Sequence, residues 1–283
     1  MNEAVELFEV GPRDGLQNEE KLISAEDKIA LVDLLSTAGF RRVEVASFVS
    51  PKWVPQMATS ADVLAGITRN PKISYAALTP NIRGLEGAVD AKAEEVAIFG
   101  SASEGFSKAN INASIAESLE RFKPVVEVAK KHGVPVRGYI SCVVNCPYDG
   151  PTDPADVSKV AKELHGLGCY ELSLGDTTGH AYPAEITRML KAVQDAVPQA
   201  ALAGHYHDTS GRALENIEAS LKQGIRVFDT SIGGLGGCPY APGALGNVAT
   251  ERVAARLHKL GYDTGLDIDI LEQAAEMART LRG

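Results

Sequence analysis

Residues 202–230, LAGHYHDTSGRALENIEASLKQGIRVFDT, hold two short β-rich runs, Leu202–Tyr206 and Arg226–Thr230, with a helical pattern between them. Their starts are 24 residues apart, close to the roughly 30 that one β-α-β unit occupies. Working outward toward the N-terminus, the same alternation returns at Val5–Val10, Arg42–Ser47, Ile73–Leu78, Glu95–Phe99, Pro135–Ile140 and Tyr170–Leu174. Eight strands alternating with helices fit either a closed barrel or an open doubly wound sheet. No G-x-G-x-x-G follows the first strand and the count suits closure, so the expected fold is an α/β (β/α)8 TIM barrel. One domain is expected over residues 1–283. Its last barrel helix runs from Val248 to Gly261, and a helical extension over about 265–283 covers an edge or joins a subunit interface.

Local signals support the helices. Ser24 with Asp27 three residues on resembles a capping box before Ile29, Leu31, Leu34 and Leu35. Asp153-Pro154 pairs an N-cap with proline at the first helical position. Between Ser114 and Gly133 the apolar spacing is helical, and Pro124 is expected to kink that helix or split it in two.

The 283 residues carry 28 Lys and Arg against 37 Asp and Glu, a net charge of -9. Such a field repels nucleic acid and acidic membrane surfaces, so an anionic small substrate would need a local cation or metal. Cys142, Cys146, Cys169 and Cys238 form no C-x-x-C pair, which suggests reduced thiols. The first ten residues do not read as a signal peptide, and no apolar run is long enough to span a bilayer. The expectation is a soluble, cytoplasmic protein with no membrane partner.

In a closed barrel the chemistry sits at the C-terminal ends of the strands. There the sequence places Arg13 and Asp14 after the first strand, Glu44 and Ser47 in the second, Asp176 and Thr177 after the sixth, His205 and His207 on the seventh, and Cys238 and Asn247 after the eighth. The H-x-H spacing puts both imidazoles on one face of a strand, facing inward. With Asp14, and with Asn247 as a further ligand or merely a helix cap, they make a mixed N/O set suited to Mg2+ or Mn2+. Arg13, in a Gly/Pro-constrained turn, suits a developing oxyanion and also a salt bridge to Glu44 or Asp176. Four of the five residues before Cys238 are glycine, which reads as a mobile lid bringing a thiol to the site, or as a small residue in a loop.

These residues fall within longer motifs: VGPRDGLQNE at 10–19, VEVASFVSPKWVPQM at 43–57, SLGDT at 173–177, GLGGCPYAPG at 234–243 and GNVAT at 246–250. Through nearly its whole length the chain resembles the 3-hydroxy-3-methylglutaryl-CoA lyase family, within the metallolyase superfamily that includes isopropylmalate and homocitrate synthases. The resemblance implies a divalent cation, Mg2+ or Mn2+, at Asp14, His205, His207 and Asn247. It implies an acyl-CoA substrate and cleavage of 3-hydroxy-3-methylglutaryl-CoA to acetyl-CoA and acetoacetate. Arg13 would stabilise the thioester enolate, with Gln17, Ser47 and Thr177 also against the substrate. Glu44 and Asp176 would order Arg13 and the substrate, His205 or Asp176 would take the hydroxyl proton, and Cys238 would help protonate the carbanion. A homodimer through the C-terminal helix is implied as well.

Leu245, Arg252 and Ser210 depart from the Ser, Asp and Tyr common in the family. They are expected around the acyl pocket and lid, where they bear on the acyl group more than on the reaction type, and a longer 3-hydroxy-3-alkylglutaryl-CoA or a citramalyl-CoA is the alternative substrate. A hydrolase barrel, an iron oxygenase and a Claisen-type synthase share some of these ligand types. Ligand order counts against the hydrolase, barrel topology against the oxygenase and the cysteine lid against the synthase, which stays as the lesser alternative.

Overall fold

The computed structural model describes residues 2–238 and 241–283, and the side chains of 237–238 and 241–245 lie outside that description. Eight parallel strands close into a barrel: β1 Glu6–Glu9, β2 Arg42–Ser47, β3 Ser74–Leu78, β4 Glu95–Ser101, β5 Val136–Ser141, β6 Glu171–Asp176, β7 Leu202–Tyr206 and β8 Val227–Thr230. Neighbours around the barrel are neighbours in sequence, and β8 closes onto β1 with Thr230 opposite Glu9. The eight runs read from sequence fall on these strands with shifts of one or two residues at their ends.

Strand periodicity explains both surfaces of the barrel. Leu7, Val43, Val45 and Val96 are buried among the apolar faces of the surrounding helices. The alternate residues point inward and are largely polar: Glu6, Arg42 and Glu171 at the foot, Arg137, Ser173 and Asp229 midway, and Glu44 and His205 toward the mouth. The Arg42 and Arg137 guanidinium groups flank the Phe8 ring at 4.8 and 4.6 Å. Charges this deep persist because each is paired; removing one partner of such a pair costs about 3–5 kcal/mol.

The helices begin where their caps say. Ser24 accepts from the Asp27 amide at the start of α1 Ala25–Leu35, and Asp153 accepts from the Ala155 amide before Pro154–Leu167. The helix Ile115–Lys131 starts with a full capping box of Ser114 and Glu117, but Pro124 does not split it. Proline removes one amide hydrogen bond, and the buried face of Ser118, Phe122, Val125, Val126 and Ala129 outweighs that loss. A separate helix, Glu104–Ile111, precedes it and is ended by Asn112 in the left-handed region.

The last barrel helix is Thr250–Lys259, and the extension is Ile268–Arg282, capped by Asp267. The extension packs against α1, against Thr250–Lys259 and against the turn Ile232–Gly234. Its apolar face of Leu271, Ala274, Ala275, Ala278 and Leu281 is consumed within the chain. An interface through this helix would have only its polar outer face to use.

Glu9 ties the mouth together from outside the barrel wall. Its carboxylate accepts from the Gly11 and Ile232 amides at 2.8 and 2.9 Å and from the Thr250 hydroxyl at 2.6 Å. Complete burial pushes its pKa up to about 7. A raised carboxyl contributes its stability in full below its unfolded value near 4.5 and loses it as pH rises through about 7. Glu9→Gln keeps an acceptor for both amides and removes the charge. It is therefore expected to gain about 3 kcal/mol over the parent at pH 8 and much less at pH 5, read as the difference in Tm at the two pH values. A variant less stable than the parent at pH 8 contradicts this account.

Candidate active site

The loop after β1 winds into a single turn, Gly11–Gly15, with the Asp14 and Gly15 amides both on the Val10 carbonyl. This turn aims the buried Arg13 side chain across the barrel axis and leaves Asp14 beside it. Arg13 Nε and Nη2 both reach Glu44 Oε2, at 2.6 and 2.5 Å, and Nη1 meets Asp14 Oδ1 at 2.6 Å. The Tyr139 hydroxyl also donates to Glu44 Oε2, at 3.1 Å, while Arg13 lies over the Tyr139 ring at 5.4 Å. Glu44 Oε1 is buried with no partner. Burial holds the Glu44 carboxyl above the usual range, opposed by Arg13; the Arg13 guanidinium, which burial disfavours, is kept charged by Glu44 and Asp14.

His205 and His207 lie on one side of the mouth, ring centroids 5.3 Å apart. Asn247 reaches them because the chain beyond β8 returns to form an antiparallel bridge with His207. That return requires Gly236, whose φ of +97° suits glycine and where a Cβ would stand 2.9 Å from Asn247 Nδ2. Asn247 Nδ2 donates to Asp14 Oδ2 at 2.8 Å, and His205 Nε2 lies 3.9 Å from the same oxygen. One donor atom each from Asp14, His205 and His207 fall within 4.8 Å of one another.

This donor set fits a divalent cation. His207 Nδ1 is buried with no partner, which is costly unless something binds there. Burial, together with the neighbouring His205, pushes His207 down to about 4, so the ring stays neutral and free to ligate. Asp14 resists burial through Arg13 and the histidines, which hold its pKa down to about 2 and keep it anionic. The helix-cap alternative for Asn247 fails, because Ala249 holds that position. The amide presents its nitrogen to Asp14, so ligation through oxygen would require it to turn over.

These groups open into a cavity of about 1210 Å³ also lined by Gln17, Thr177 and Tyr139. The Gln17 Oε1 is buried without a partner, and Thr177 Oγ1 accepts from the Cys142 amide at 2.9 Å. Farther out, Leu78, Phe99, Phe106, Phe122 and Ile140 make an apolar wall. Arg83, Arg121 and the 86% exposed Trp53 stand around the opening.

Several expected residues go elsewhere. Asp176 is buried, but its carboxylate accepts from the Gly179 and Ala181 amides at 3.2 and 3.0 Å. It shapes the loop after β6 and does not order Arg13, which Glu44 and Asp14 hold instead. The Ser47 hydroxyl is buried without a partner and does not line the cavity. Arg252 pairs with Asp208 at 2.8 Å, the Ser210 hydroxyl bonds to His180, and neither lines the cavity. The side chains of Cys238 and Leu245 lie outside the described residues. The backbone there forms a small hairpin, Gly237–Cys238 against Ala241–Leu245.

Sequence reasoning missed Tyr139, Arg137 and Asp229. All three are inward positions on strands it had placed, so strand periodicity could have found them. Arg83 and Arg121, which line the cavity, were missed as well.

The HMGL-like family model matches residues 4–278. A Pseudomonas aeruginosa protein named 3-hydroxy-3-isohexenylglutaryl-CoA/hydroxy-methylglutaryl-CoA lyase is 58% identical over 272 residues, 96% of this chain and 91% of that one. The crystal structure of an HMG-CoA lyase from Brucella melitensis superposes with a TM-score of 0.98 at 55% identity, covering 99% of each chain. An Acinetobacter baumannii HMG-CoA lyase in complex with coenzyme A and 3-methylmalate gives 0.94 at 37% identity, covering 99% of this chain and 92% of that one.

Proposed function

The chain belongs to the HMGL-like family, and from that premise we propose that it cleaves 3-hydroxy-3-methylglutaryl-CoA to acetyl-CoA and acetoacetate with a divalent metal. The observation that carries this reading is the meeting of Asp14, His205, His207 and Asn247 with a fully buried arginine at the floor of one large cavity. Mg2+ or Mn2+ suits the mixed N/O donors, held by those four residues with positions left for substrate oxygens. When bound, the ion supplies Lewis-acid polarisation of the 3-hydroxyl and the neighbouring carboxylate.

The protein residues divide the remaining work. His205 has one nitrogen, Nε2, facing the cavity, since Nδ1 is engaged inside the barrel. That nitrogen is the one the ring would offer to the cation, so His205 acts as a ligand and is not also the base for the 3-hydroxyl proton. Asp176 is set aside as base because its carboxylate is held by its own loop. As the C2–C3 bond breaks, its electron pair becomes the enolate of the departing acetyl thioester, and Arg13 stabilises the charge on the thioester oxygen. Glu44 and Asp14 fix the guanidinium before substrate arrives, so no reorganisation is needed during the step. Gln17 and Thr177 offer polar contacts at the cavity wall. Protonation of the carbanion is assigned to Cys238 in this proposal on the resemblance of its glycine-rich motif.

The arginines and the exposed tryptophan at the opening suit a phosphate-bearing, nucleotide-tailed thioester. The wall of Leu78, Phe99, Phe106, Phe122 and Ile140 supports a second substrate, a 3-hydroxyglutaryl-CoA with a longer apolar 3-substituent. The relative whose name includes the isohexenyl compound points the same way. No described helix is long and apolar enough to cross a membrane. A cytoplasmic homodimer is part of the proposal.

The deciding assay measures acetyl-CoA release from both thioesters by purified protein with Mg2+ or Mn2+ and a thiol reductant, beside EDTA-treated protein. Metal-dependent release from the methyl compound is expected. Release from neither compound by metal-loaded protein would overturn the reading.

A further inference from the structure

Behind the ligand cluster, the polar interior of the barrel forms one connected chain. His205 Nδ1 lies 3.1 Å from Asp229 Oδ2 and donates to it, which leaves Nε2 as the nitrogen turned toward Asp14. The same Asp229 oxygen accepts from the Ser173 hydroxyl at 2.7 Å. Arg137, itself completely buried, clamps both Asp229 oxygens, Nη1 at 3.0 Å and Nη2 at 2.7 Å. Its Nε reaches Glu171 at 2.6 Å; Glu171 is forked onto Arg42 at 2.9 and 3.2 Å, and Arg42 Nε reaches Glu6 at 2.6 Å. An unbroken series of charge-assisted bonds thus joins a mouth imidazole to the foot of the barrel.

Asp229 accepts four hydrogen bonds, three of them on Oδ2, and its partners sit on three other strands, β5, β6 and β7. His207 has no such carboxylate behind it. We propose that Asp229 is the positioning residue for His205, and that Arg137 holds Asp229 in turn, so the tautomer and aim of one metal-binding imidazole are set by an ion-pair chain inside the barrel. The inference rests on the metal reading above. Its physical content is preorganisation: a ring already locked with Nε2 outward gives up no rotational freedom when it ligates. Carboxylate partners behind ligand histidines are typically worth 10–100-fold in metal affinity or activity.

The test is a Mn2+ titration of the metal-stripped full chain, following free Mn2+ by electron paramagnetic resonance, with steady-state kinetics at each metal concentration. In Asp229→Asn the amide nitrogen opposes a donor, either Arg137 or His205. Its Mn2+ affinity is expected to fall about 10–100-fold, with activity recovered by raising Mn2+. That recovery is what a purely structural role would not produce. A folded Asp229→Asn that binds Mn2+ like the parent, or whose activity no Mn2+ concentration recovers, overturns the inference. Ser173→Ala keeps every charge and removes one bond to Asp229, so it decides the question if the first variant fails to fold. About threefold to tenfold weaker Mn2+ binding is expected of it, and an unchanged affinity overturns the inference. A parent that does not bind Mn2+ at all would instead sink the metal reading and this inference with it.

Discussion

Arg13→Met lowers kcat for thioester cleavage by about 10²–10³ while leaving Mn2+ binding at least as tight as in the parent. The first half follows from where charge develops. Arg13 is the buried, permanently charged donor at the cavity floor, held by Glu44 and Asp14 before substrate enters. Losing one preorganised donor to a developing oxyanion costs a few kcal/mol in the transition state and little in substrate binding, so the loss appears in kcat more than in KM. The second half follows from Asp14, which loses the cation that competes with a metal for its carboxylate. Methionine fills the volume of the stem, and Glu44, already inclined to hold a proton by burial, can become neutral once its partner is gone. The variant should therefore fold. A kcat within tenfold of the parent, with metal bound, would remove Arg13 from the reaction.

The barrel was legible because its signal is repetition. Eight apolar runs at βα spacing specify closure even when each end is uncertain by a residue, and His205 and His207 declared themselves by a spacing that only a strand turns into one face. What periodicity cannot carry is the partner of a buried charge. Asp176 and Asp14 look alike in sequence, each just past a strand, yet one carboxylate is spent on its own loop amides and the other faces two histidines. The difference lies in whether the following turn offers amides to the carboxylate, a property of backbone path and not of residue type. Pro124 misled for a related reason: a rule about one missing hydrogen bond met a helix whose whole apolar face was buried. The Arg137–Asp229 pair stayed invisible because its two residues are 92 positions apart and only closure of the barrel brings them together.

The second large effect separates function from stability at one residue. His207→Leu is expected to abolish metal-dependent turnover, by at least about 10³-fold if the lost Lewis acid supplied ~4 kcal/mol, and yet leave the metal-free protein about as stable as the metal-free parent. In the parent the ring is buried and neutral, with Nδ1 unpartnered. A buried acceptor without a donor costs about 1–3 kcal/mol, and leucine of similar volume removes that cost while giving up the ring's packing against His205. The two changes offset. Added Mn2+ should then distinguish the proteins: at about 100 times its Kd it stabilises the parent by about 2.7 kcal/mol and raises its Tm, whereas the variant's Tm stays put. If the metal-free variant proved several kcal/mol less stable than the parent, His207 would be a structural histidine satisfied within the fold. If its Tm rose with Mn2+ as the parent's does, the ion would lie elsewhere. Between those outcomes stands the reading that this site carries a local instability which only a bound cation relieves.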